Sequence, residues 1–80
     1  MEKMYKVYRV DTCFDCYAME YKLVGAESEE DLIKHLDKIV DYKKRDVKRI
    51  INEKEWRIKE IVGLFTDRPY EILDCYVYYE

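Results

Sequence analysis

Glycine and proline are nearly missing from this chain: two glycines and one proline among eighty residues. So little of either excludes a flexible linker, and two isolated glycines cannot build a phosphate-cradling loop. Uninterrupted apolar runs are only a few residues long, which excludes a membrane-spanning helix. The charged start, Met1-Glu2-Lys3-Met4-Tyr5-Lys6, has no apolar core segment and predicts no signal peptide. Cysteines are few and odd in number, three, against the pattern of a secreted disulfide framework. The expectation is a reduced, cytoplasmic protein. No repeat and no low-complexity tract is visible.

What is present points to one folded domain spanning 1–80. Hydrophobic residues make up 49% of the chain, too many for disorder. Fifteen lysines and arginines stand against eighteen acids, a net charge of −3. A chain this short buries only about 60% of its unfolded surface, so its core is small. Nine residues are tyrosine, and their placement along the chain shapes the expected surface.

Residues 4–10 are β-branched and aromatic with partial alternation and predict a strand. Asp11-Thr12-Cys13-Phe14-Asp15-Cys16 is a polar break. In 17–24, Tyr17, Met19, Tyr21 and Leu23 fall on one face, a second strand that closes an antiparallel hairpin. Ser28 followed by Glu29, Glu30 and Asp31 is a helix start, with a hydroxyl to cap free N–H groups and acids on the positive dipole end. Leu32, Ile33, Leu36, Ile39, Val40, Val47, Ile50 and Ile51 recur at helical spacing and predict one long helix over 28–52, with a weak point at 41–46. Residues 55–65 read as a third strand, with Gly63 marking a bulge, and 70–79 as a fourth. The predicted fold is α+β: a ββαββ domain with a four-stranded, mainly antiparallel sheet and one helix packed on one face.

One helix covers one face, yet strands one, three and four carry large apolar or aromatic side chains on both. The second face is therefore predicted to meet a partner or a second copy. Tyrosine suits this, with a rigid apolar ring and one polar tip. The contact candidates are Tyr5, Tyr8, Trp56, Tyr70, Tyr76 and Tyr78, against the plainer reading that such tyrosines only pair across strands. Homodimerisation would help a chain this small.

No catalytic constellation emerges. Cys13-Phe14-Asp15-Cys16 is a C-x-x-C, but it lies between two strands and lacks the helix dipole that lowers a thiol pKa in redox pairs. Cys13, Cys16, Cys75 and His35 can be counted as a zinc set. Cys75, however, reads as a core residue beside Leu73 and Val77, so neither metal nor other cofactor is expected. No Ser or Cys nucleophile is spaced to pair with His35, which argues against an enzyme.

Charge is unevenly placed. Residues 1–41 hold ten acids and six bases, whereas 42–80 hold eight acids and nine bases. The basic cluster Lys43, Lys44, Arg45, Lys48 and Arg49 complements a helix C-terminus; its functional alternative is a nucleic-acid contact. The acidic run at Glu27, Glu29, Glu30 and Asp31 is explained by the helix start, although it could also imitate a nucleic-acid backbone.

The strand end Val24-Gly25-Ala26, followed by Glu27-Ser28-Glu29-Glu30-Asp31 opening the helix, and the single-domain build as a whole, resemble the small orphan proteins of phages and mobile elements, anti-CRISPR proteins among them. The resemblance implies a non-enzymatic inhibitor that binds a host protein or nuclease complex in the bacterial cytoplasm. It carries over no functional residues.

Overall fold

The computed structural model describes residues 3–14, 18–39 and 44–79. Along the chain run β1 (Tyr5–Asp11), β2 (Ala18–Ala26), α1 (Glu29–Ile39), α2 (Lys44–Asn52), α3 (Lys54–Arg57), β3 (Ile58–Thr66) and β4 (Ile72–Tyr79). The strands form one open sheet in the order β3-β1-β2-β4, every neighbouring pair antiparallel. The first hairpin therefore lies at the centre, and the last two strands flank it on opposite sides.

The predicted single helix is three. α1 and α2 end and begin on either side of 40–43, which lie outside the described residues. Leu32, Leu36 and Ile39 of α1 and Val47 and Ile50 of α2 face the core. The third predicted strand also starts later, at Ile58, because Lys54–Arg57 forms a helical turn in which Arg57 N–H donates to the Glu53 carbonyl.

Helix α1 begins as its residues dictate. Ser28 Oγ accepts the Asp31 N–H at 3.1 Å, and Asp31 Oδ2 accepts the Glu27 N–H at 3.0 Å. α1 and α2 pack on the sheet face formed by Tyr8, Val10, Val24, Ala26 and Ile58, which are in register across the central strands. Tyr8 is only 4% exposed there, and burial raises its phenol pKa. It is a core residue, not a contact residue.

β3 and β4 are consecutive in sequence yet lie on opposite edges, so their connection crosses the end of the hairpin. It passes directly over Gly25, which bridges to Pro69 and whose carbonyl accepts the Tyr70 N–H at 2.9 Å. A Cβ on Gly25 would lie 2.4 Å from Thr66 Cγ2 and 3.3 Å from the Arg68 carbonyl oxygen. Glycine is thus required by the close crossing. Val7, paired with Gly25 on the face away from the helices, is buried.

Tyr70 lies in this connection and not in β4. Its φ of 62° is unusual for a bulky residue, and three interactions hold it. Its N–H meets Gly25, its ring stacks on His35 with centroids 4.1 Å apart, and its hydroxyl donates to Asp31 at 2.6 Å. The Asp31 hydrogen bond, with burial, pushes the phenol up to about 12. The unfolded phenol titrates near 10, so this link stabilises the fold below about pH 10 and is lost as pH rises through about 12. Tyr70→Phe is accordingly expected to shallow the fall in melting temperature between about pH 9 and about pH 12. An unchanged alkaline limb would show that the latch contributes nothing.

Candidate protein-binding face

The sheet face turned away from the helices is built from β2 and β4. Register pairs Met19 with Tyr78, Tyr21 with Tyr76 and Leu23 with Asp74. A shift in register between Leu23 and Val24 leaves Leu73 as the extra residue of β4. Ile72 therefore sits opposite Val24 on the helix side, whereas Asp74, Tyr76 and Tyr78 share the open side. Cys75 lies on the helix side, opposite Lys22, but is not the core residue expected. It is exposed, with its Sγ 3.7 Å from Glu20 Oε1.

The open-side rings form an ordered strip. Tyr21 and Tyr78 meet edge to face with centroids 6.2 Å apart, and the Arg9 guanidinium sits 4.6 Å over the Tyr21 ring. The Tyr76 hydroxyl donates to Asp74, which raises its pKa. Tyr76, Tyr78 (57% exposed) and Met19 all remain open to solvent.

At one end the strip runs into a cleft of about 280 Å³ lined by Asp11, Cys13, Phe14, Met19, Arg49, Trp56 and Arg57. Met19 belongs to both. Arg57 organises the cleft wall. Its side chain is 1% exposed, and Nη1 donates to Cys13 O (2.8 Å), Asp11 Oδ1 (3.2 Å) and Asp11 O (3.3 Å) while Nε reaches Glu53 Oε1 (3.0 Å). Its guanidinium also lies 4.2 Å from the Trp56 ring and 4.9 Å from the Phe14 ring. Burial alone would push the Glu53 carboxyl up, but hydrogen bonds from Arg57 and Arg49 hold it below its usual value. Two acids and two arginines meet here, so the cleft is close to neutral and its accessible character is set by Trp56, Phe14 and Met19.

The six predicted contact residues thus fall into separate places. Tyr76 and Tyr78 stand on the open face, and Trp56 is exposed at the cleft. Tyr5 and Tyr70 meet edge to face (6.1 Å) around the crossing, and Tyr8 is in the core. Met19, Tyr21, Phe14 and Arg57 are not among the six. The alternation that aligns Met19 with Tyr21 is readable in the sequence, but the register that joins them to Tyr78 and Tyr76 is not.

Of the basic cluster, Lys43 and the side chains of Lys44 and Arg45 lie outside the described residues. Lys48 is exposed on α2, and Arg49 is tied to Glu53 at 3.1 Å. Cys16 also lies outside them. His35 is committed to Tyr70 and to the Asp31 carbonyl, 2.9 Å from its Nδ1. Among the described residues no group of three His, Cys, Asp or Glu side chains is placed to hold a metal ion, and no helix is long and apolar enough to cross a membrane.

Compared with protein-family models, with curated proteins and with solved structures, the chain gives no match.

Proposed function

We propose that the chain is a non-enzymatic binding protein that acts through protein–protein contacts of the open face of its sheet. One observation carries this reading: Met19, Tyr76 and Tyr78 stay exposed together on one face of the paired strands β2 and β4, while Val24 and Ala26 of β2 face the helices on the other. Ring edges, a thioether and phenol hydroxyls on fixed backbone are the chemistry of interface anchors. The adjoining Trp56–Phe14–Met19 cleft offers a socket for an apolar side chain of the partner. The resemblance to anti-CRISPR-type proteins supports a host protein or nuclease complex as the target.

The test is phage survival. Expressed in bacteria whose CRISPR nuclease attacks a given phage, the protein is expected to restore plaque formation. Tyr76→Ser with Tyr78→Ser should abolish it, because two anchors worth about 2 kcal/mol each weaken binding about a thousandfold. Both substitutions are on exposed positions, so the circular dichroism spectrum should stay that of the wild type. Protection by the double variant equal to wild type would remove the open face from the mechanism.

A further inference from the structure

The two outer strands of the sheet are unlike each other. β3 is unsuited to accept another strand: Lys59 and Glu60 stand in it, and between the Lys6–Phe65 and Tyr8–Glu60 pairs four of its residues oppose one of β1. Gly63, at φ 89°, lies inside that irregularity, and Val62 is thrown out to 86% exposure. Bulges and charges of this kind are how edge strands avoid pairing. β4 has neither defence along most of its length. From Ile72 to Tyr79 it holds a single charged residue, no lysine and no proline, and it pairs with β2 in unbroken register from Asp74 to Tyr79. It is also apolar on both sides, with Val77 and Cys75 exposed toward the helix side and Tyr76 and Tyr78 on the other.

We propose that β4 pairs with β4 of a second copy of this chain, antiparallel about a two-fold axis at Tyr76, to continue the sheet across eight strands. A two-fold antiparallel pairing must be centred on a residue if each side chain is to meet one on its own face. Centring on Tyr76 sets Asp74 of each copy opposite Tyr78 of the other, Cys75 opposite Val77, and the two Tyr76 rings against one another. No like charges meet. Asp74 already accepts the Tyr76 hydroxyl and the Cys75 N–H at 2.8 Å. Its two oxygens have capacity left for the partner's Tyr78 hydroxyl, so the only charge on the strand gains a donor. A centre two residues earlier, at Asp74, would instead set the two carboxylates against each other and is disfavoured by their like charges. A foreign strand would have to reproduce this charge pattern, whereas a second copy does so by symmetry.

The assembly would keep the open face clear and set its two aromatic strips side by side, so it stands whether or not the proposed target is correct. The experiment is light scattering coupled to gel filtration on the full chain over a range of concentrations. A dimer is expected, with Val77→Lys weakening self-association at least about tenfold through a buried edge charge while the circular dichroism spectrum stays unchanged. Register is read separately by disulfide trapping in a Cys13→Ser, Cys16→Ser background. Val77→Cys should couple Cys75 of one copy to the introduced thiol of the other under mild oxidant. A monomer at every concentration, a dimer indifferent to Val77→Lys, or Cys75 coupling to itself without Val77→Cys would each overturn the proposal.

Discussion

Arg57→Ala is expected to lower the melting temperature by about 20 °C or more, with a loss of about 3–5 kcal/mol. Arg57 is the largest fully buried side chain among the described residues, and it is charged. Removing it takes the cation from the Asp11 carboxylate, whose side chain is 9% exposed and which keeps the Cys13 N–H at 2.9 Å, and a donor from the Asp11 and Cys13 carbonyls. An uncompensated buried charge costs far more than the pair itself stabilises. The loss also strips Trp56 and Phe14 of the cation between them. For eighty residues total stability is of the order of 4–12 kcal/mol, so the variant would sit near the edge of folding. Combining Arg57→Met with Asp11→Leu removes both charges and should melt well above Arg57→Ala alone. Thermal melts of the three proteins decide it. If Arg57→Ala melts within a few degrees of wild type, this network is not what joins α3 to the hairpin.

The second large effect is expected at Gly25. Gly25→Ala should cost about 2–3 kcal/mol, because the new methyl group must fit where Thr66 Cγ2 stands at 2.4 Å and the Arg68 carbonyl oxygen at 3.3 Å. Thr66 can turn or shift, but the carbonyl and the Pro69 Cα at 3.4 Å belong to the crossing backbone. The assignment has its own control. Thr66→Ser deletes the clashing methyl, so Gly25→Ala should be largely rescued in that background, the non-additivity expected of two residues in contact. Equal losses from Gly25→Ala in the two backgrounds, measured by chemical denaturation, would show that the crossing does not press on Gly25.

Much of the fold is legible in the residues alone. The hairpin of β1 and β2, the Ser28 cap, the α+β class and the bulge around Gly63 all follow from local signals: alternation, a hydroxyl before three acids, a glycine within a strand. Two errors concern burial. Tyr8 shares the parity of Val10 and faces the helices, while Cys75, although on the helix side, is exposed. The extra residue at Leu73 is visible only once β4 lies beside β2. The exposed strip combines two strands more than fifty residues apart, so its members are legible but their meeting is not. Arg57 carries no signal at all. A cation beside a tryptophan reads as surface, and only three converging acceptors from β1 and the residues after it make it a core residue.

The strand order has a kinetic consequence. β3 and β4 do not touch each other; each has only a central strand to pair with. The β1–β2 hairpin closes a short loop, whereas pairing β3 with β1 or β4 with β2 joins residues about fifty apart in the chain. Loop-closure entropy therefore favours the hairpin first, with the docking of the two flanking strands as the slower events. For a chain of this length, such an order favours an unhurried search in which the β1–β2 hairpin acts as the template and the C-terminal third closes around it like a clasp.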